Sequence, residues 1–271
     1  MPTPFIATFS LRGRIYEKVR MMVHRLCEWN PFVVLTARKA TIILASSPET
    51  HERISHLVAG KCAIASQVGI ADHEFGELSV IPFKTSVPFR AFSAGILTHY
   101  KGYHLSLSAF AEFNKENPDS EYWIFGDGPE RGRLQAICRD LGIEKAVTFC
   151  GQVKRGQYLA QISNCDVFLH PCLHESGGWA IAEALSAGRP VICLDLGGPS
   201  MQIEPLNGYK IKPHSPEYVI SEMSRMMKYL AAHLEFRHSL SQNAISRIEQ
   251  SYLWSKKGFM IATLYNDLLA H

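Results

Sequence analysis

Apolar and polar positions follow two different periods along the chain. From residue 89 onward, short apolar runs bounded by Gly, Pro or polar residues alternate with stretches whose apolar residues recur every three or four positions. The runs at 89–95, 121–126, 146–150, 166–170, 190–195 and 208–211 read as strands. Leu107, Phe110 and Ala111, and then Leu134, Ile137 and Leu141, mark the inner faces of two intervening helices. Strand and helix in alternation give a parallel sheet with helices on both faces, a doubly wound α/β domain. Helices over 216–230 and 234–248 follow. A terminal helix over Trp254–Leu269 is apolar at Phe259, Ile261, Leu264, Tyr265 and Leu268, a face that needs a neighbour.

Residues 1–88 carry a different pattern. Ile15, Val19, Met22, Val23 and Leu26 make one amphipathic helix, and a strand–helix–strand unit follows. Its runs are 40–46 and 61–66, with Ser47 and Pro48 opening a helix over 48–58. Two strands and two helices cannot cover both faces of a parallel sheet, so this segment must lean on something else.

Composition narrows the classes. The chain of 271 residues is 46% hydrophobic and 20% charged, which is globular rather than disordered. A net charge of +3 implies no basic stripe for nucleic acid. The basic residues of the first helix, Arg12, Arg14, Lys18, Arg20 and Arg25, read first as a solvated face and second as an attraction to an anionic membrane surface. Seven cysteines without a CxxC fit reduced, cytoplasmic thiols. Apolar runs of about six residues are far too short to span a bilayer, and the N-terminus lacks a secretory pattern.

The most informative segment begins with His-Pro-Cys-Leu-His-Glu-Ser-Gly-Gly-Trp at 170–179. It sets Glu175 in the loop after a strand, then Gly177 and Gly178, then a small-residue helix carrying Glu183. Glycines admit a ligand close to the backbone, and a helix N-terminus suits an anion such as a diphosphate. Open α/β sheets bind ligands at this end of their strands. Spacing alone is equally consistent with Glu175 as a helix cap and Glu183 as an exposed side chain. His170 and His174 beside Glu175 suggest a metal, but Pro171 breaks their helical alignment and no third ligand is spaced to help. Cys172 reads as a buried or loop thiol rather than a nucleophile. Gly126-Asp-Gly-Pro-Glu-Arg-Gly132 nearly matches a dinucleotide fingerprint, but the strand ending at Cys150 lacks the terminal acid.

Together these residues resemble the group 1 glycosyltransferases of GT-B fold. The E-x7-E pair Glu175 and Glu183 carries the likeness, with 93–102 similar to the family's G-R-L-x-x-x-K-G loop. Gly126-Asp-Gly-Pro129 resembles its G-x-G-P turn, and 191–199 its V-I-x-x-D-x-G-G segment. The resemblance covers about residues 35–270. It implies a GT-B-like α/β protein with one complete doubly wound, Rossmann-like donor domain (89–251). An incomplete second Rossmann-like domain (1–88) and a C-terminal helix packing back on it (252–271) complete the implied chain. The implied activity is retaining transfer from a nucleotide-diphosphate sugar to a glycan or lipid-linked acceptor, without metal or other cofactor. Glu175 would be catalytic and touch the donor sugar; Lys101 would neutralise its phosphates. Gly126, Gly128, Gly177, Gly178 and Trp179 would line the donor, Glu183 would hold its ribose, and 150–153 would meet the base. Two departures stand out. Ile96 occupies the place of a family arginine, and the N-terminal part is short. They favour an alternative, a catalytically impaired nucleotide-sugar binding module or partner subunit, with another chain supplying the missing region.

Overall fold

The computed structural model describes residues 3–58, 60–79 and 88–270, apart from the side chains of residues 28, 56 and 57. Its centre is a six-stranded parallel sheet of β3 (Arg90–Ala94), β4 (Glu121–Phe125), β5 (Val147–Gly151), β6 (Val167–His170), β7 (Val191–Leu194) and β8 (Gly208–Ile211). The spatial order is β5-β4-β3-β6-β7-β8. The chain winds one way from β3 to β5 and the other way from β6 to β8, so the order reverses between neighbouring β3 and β6. That reversal opens a crevice at the carboxyl ends of these two strands.

Strand periodicity explains the two cores. Val167 and Leu169 of β6 and Ile192 and Leu194 of β7 face one layer, while Phe168, Val191 and Cys193 face the other. The first layer contains α5 (Tyr103–Asn114), α6 (Arg131–Asp140) and α10 (Pro216–Ala232); the second contains α7 (Arg155–Ile162), α8 (Trp179–Ser186) and α11 (Leu234–Ser251). With both faces covered, the central strands are buried throughout, which is why their sequences are continuously apolar.

The N-terminal part contains α1 (Leu11–Glu28), α2 (Pro31–Lys39), α3 (Pro48–Val58) and α4 (Asp72–Ser79) around the parallel pair β1 (Ile43–Ala45) and β2 (Cys62–Ile64). Ser10 caps α1 and Asn30 caps α2, with Pro31 in the first turn. The stretch to β3, 80–87, where the boundary expected at residue 88 is approached, lies outside the described residues. This part leans on the larger sheet in two places. The 3-10 turn Thr3–Thr8 sends Phe5 into the α5–α10 layer, and Phe9 joins it there. Val68, Ile70 and Leu78 enter the opposite layer.

α1 packs inside out. Gly13 and Glu17 face the protein, whereas Ile15, Val19, Met22 and Leu26 are at least half exposed. The last helix, α12 (Trp254–Leu269), has no buried residue. It is anchored at its start, where Ser255 Oγ donates to Asp72 Oδ1 at 2.5 Å and Leu253 bridges Ile70.

Candidate active site at the reversal of strand order

Two loops meet at the crevice. After β3 the chain runs through Gly95 to a 3-10 turn, His99–Lys101, and Gly102 then starts α5. After β6 it runs through Pro171 to Gly178, which starts α8. Leu173 N–H donates to the Tyr100 carbonyl at 2.8 Å and ties them together. At Gly102, with φ of +70°, a Cβ would lie 2.0 Å from the Pro171 carbonyl oxygen, so no other residue fits there.

The knot delivers three side chains to one point. Lys101 Nζ lies 3.0 Å from Glu175 Oε2, and His170 Nε2 donates to the same oxygen at 2.7 Å. Burial alone would raise the Glu175 pKa. The hydrogen bond and charge of His170, joined by those of Lys101, reverse this and bring it down to about 2. For Lys101, burial opposes the charged form, but the charge and hydrogen bond of Glu175 outweigh it and raise the ammonium's pKa. The result is a fixed ion pair, mostly shielded from water, at the mouth of the crevice.

This geometry settles the alternatives left by spacing. Glu175 does not cap α8: the cap is Gly178, with φ of +99° and no side-chain hydrogen bond, so the first N–H groups of α8 have no side-chain acceptor there. Glu183 is buried rather than exposed. Cys172 is a protonated thiol, its pKa pushed to about 12 chiefly by burial. His170, Cys172 and Glu175 place their ligand atoms within 4.8 Å of one another, yet the ammonium of Lys101 already fills the cationic position there. His174 points elsewhere, toward Arg20 at 3.2 Å, and burial followed by Arg20 brings its pKa down to about 4, so it is neutral.

The expected donor-binding glycines divide into two kinds. Gly126 and Gly128 sit in the turn after β4, where a Cβ would lie 2.1 Å from the Gly95 oxygen and 2.6 Å from the Leu97 oxygen. Their smallness lets this turn pack on the lysine-bearing loop, and Leu97 N–H donates to the Asp127 carbonyl at 3.0 Å. Gly177 and Gly178 are buried at the start of α8, with both carbonyls accepting from Gln202 Nε2. Trp179 is half exposed, its ring 5.8 Å from Trp254. Ile96 is 62% exposed in the lysine loop, an apolar group open to solvent.

Several partners were not legible as site residues. Arg155, at the start of α7, donates to Glu183 Oε1 at 2.6 Å and bridges with Nη2 to Glu74 Oε2 of α4 at 2.7 Å. Burial nevertheless leaves the Glu183 pKa raised, against the opposing pull of Arg155. A signal did exist: an arginine in the first turn of a helix opposes the helix dipole and asks for a carboxylate. On the other flank, buried Glu17 of α1 accepts from Arg20 and His99, wiring α1 to the lysine loop.

Similarities to known proteins agree with this arrangement. Residues 76–247 match the family described as glycosyl transferases group 1. Over 104 residues the chain is 32% identical to a 2-deoxystreptamine glucosyltransferase of Streptomyces kanamyceticus, covering 38% of this chain and 27% of that one. Over 198 residues it is 25% identical to a D-inositol 3-phosphate glycosyltransferase of Corynebacterium glutamicum, covering 70% and 46% respectively. The crystal structure of Anabaena HepE in complex with UDP has the same fold, with a TM-score of 0.71 at 20% identity, covering 86% of this chain and 65% of that one. The chain therefore spans less than half the length of either curated relative. With a GT-B-type Rossmann-like domain and a family match across most of it, the chain belongs to the group 1 glycosyl transferases.

Proposed function

We propose that this chain moves a sugar from a nucleoside-diphosphate donor to a glycan or lipid-linked acceptor, with retention of anomeric configuration. The observation that carries this reading is the Lys101–Glu175–His170 cluster at the strand-order reversal, on the same segment as buried Glu183. Both contacts to Glu175 fall on Oε2, which leaves Oε1 for other donors such as sugar hydroxyls. The α8 N-terminus at Gly177, Gly178 and Trp179 would offer backbone N–H groups to the diphosphate. Glu183 would accept from the ribose hydroxyls in exchange for Arg155, with Gly126 and Gly128 shaping the turn beside the phosphates. As the bond from the anomeric carbon to the phosphate oxygen breaks, negative charge gathers on the departing diphosphate, and Lys101 would neutralise it. The reading needs no metal or other cofactor, because that positive charge comes from the protein.

A second reading is a nucleotide-sugar binding module with impaired catalysis, acting beside another chain. Exposed Ile96, in the place where the resembled family carries an arginine, favours it. Release of free UDP or GDP from nucleotide sugars separates the two. Turnover abolished by Glu175→Ala supports the enzyme; binding without turnover supports the module. If no nucleotide sugar binds at all, both readings fail.

A further inference from the structure

α1 turns a charged side chain inward although it carries an apolar stripe that could have packed there. Glu17 is fully buried on the inward face. Burial alone would raise its pKa, but the hydrogen bonds and charges of Arg20 and His99 reverse this and hold it ionised. A buried ion pair is often no more stabilising than well-packed apolar side chains of similar size, because desolvation offsets much of the attraction. Ile15, Val19, Met22 and Leu26 stay in solvent, so the packing of the helix does not account for the buried charge.

Its partners do account for it. Oε1 accepts from His99 Nε2 at 3.1 Å, while Oε2 accepts from Arg20 Nε at 2.9 Å and pairs with Nη2 at 2.7 Å. His99 opens the 3-10 turn that ends at Lys101, and its carbonyl accepts from Gly102 N–H at 3.3 Å. Its ring stands edge-on to Phe9 and Tyr16, with centroids 5.0 and 5.3 Å away. At Gly13 a Cβ would lie 3.1 Å from His99 Cγ, so the glycine lets α1 come this close. Arg20 reaches the other loop, where its Nη1 donates at 3.2 Å to neutral His174, the residue before Glu175. One carboxylate on α1 thus holds a residue two positions before Lys101 and, through Arg20, the residue next to Glu175.

We propose that Glu17 is a positioning residue: from the N-terminal part it sets the spacing of the two loops that carry Lys101 and Glu175. The inward polar face of α1 is then a brace for the site, which is why the helix packs with its apolar stripe outward. The 3.0 Å contact between Lys101 Nζ and Glu175 Oε2 depends on where each loop stands. A misplacement of about 1 Å in such a constellation can cost on the order of a hundredfold in rate. The part that Glu17 plays in the reaction rests on the glycosyltransferase reading; the brace itself does not.

Carbon-13 NMR of the Glu175 carboxyl tests the brace, and affinity for UDP or GDP tests its use. In Glu17→Gln the Glu175 carboxyl should titrate at least about one pH unit higher than in the wild type. Removing a negative charge would by itself lower that pKa, so a rise reports separation from Lys101. His99→Phe cuts the same contact from the lysine loop, should act alike, and decides the point where Glu17→Gln does not fold. His99→Gln keeps a side-chain N–H and should restore the wild-type value, and Ile15→Ser on the outer face should leave it unchanged. A Glu175 carboxyl that does not move in Glu17→Gln overturns the proposal, as does an equal rise in Ile15→Ser, which would show general loosening of α1. Glu17→Gln should also weaken UDP or GDP about tenfold when Lys101 is present, and by less than about twofold in a Lys101→Met background. Equal losses in the two backgrounds would show a merely structural role and overturn the proposal. Binding of neither nucleotide by the wild type overturns the glycosyltransferase reading, and the carboxyl titration then decides the brace alone.

Discussion

α5 and α1 are both helices with an apolar stripe, and they turn it in opposite directions. α5 buries Leu105, Leu107, Phe110 and Phe113 against the sheet and α10. α1 presents Gly13 and Glu17 to the protein and leaves Ile15, Val19, Met22 and Leu26 in solvent. Around β3 and β6 the packing is closed and each member of the Lys101–Glu175–His170 cluster has a partner, whereas α1 holds Glu17 inward and its hydrocarbon outward. The lesson is that one side of the cleft is closely packed around a paired charge cluster, while on the other side the apolar stripe of α1 is left exposed.

Phe5→Ala should break this contrast most severely. Phe5 is fully buried in the α5–α10 layer, so truncation should cost about 3–5 kcal/mol and lower the melting temperature by on the order of 10 °C. A shift of a degree or two would mean that the first turn is not part of the donor-domain core.

Lys101→Met should be next. Activity on a nucleotide sugar should fall about a hundredfold through loss of the cation at the leaving group. The pH response sharpens the point. The Glu175 pKa is lowered from 4.5 to about 2, so its ionised form stabilises the fold above about pH 4.5, and this contribution is lost as pH falls toward 2. At full strength it is worth about 3 kcal/mol. Removing Lys101 should raise that pKa and move the loss to higher pH, visible in melting curves between about pH 2 and 5. Identical pH curves for variant and wild type would deny the ion pair its role.

The smallest effect should come from Ile15→Ser on the outward stripe of α1. Ile15 is 56% exposed and the two residues have similar helix propensity, so stability should change by no more than about 0.5 kcal/mol. A loss comparable to that of Phe5→Ala would show that the stripe is already covered.

Much of this was legible in the sequence, and what was not has a physical reason. Each strand of the large sheet is found where an apolar run was bounded by Gly, Pro or polar residues, and the run is strongest in central β6 and β7, which are buried on both faces. The loop–glycine–helix pattern around Glu175 and Glu183 showed as a site because its glycines and carboxylates are adjacent in the chain. α4 escaped notice: its sequence, Asp-His-Glu-Phe-Gly-Glu-Leu-Ser, has no apolar periodicity, and Leu78 is its one buried residue. The partners Arg155 with Glu74 and His99 with Glu17 are more than eighty positions apart, so only the folded chain brings them together. The direction of the α1 stripe was equally hidden, since periodicity shows that a helix has two faces and not which one the protein takes inward.

The central claim is that the cleft between Glu175 and Glu183 holds a nucleoside diphosphate. Thermal denaturation of the wild type and of Glu183→Ala, with and without saturating UDP and GDP, tests it most directly. One of the two nucleotides should raise the wild-type melting temperature by about 5 °C or more at a hundred times its Kd, and the rise should vanish in the variant. An undiminished rise in Glu183→Ala, or no rise with either nucleotide in the wild type, would contradict the account.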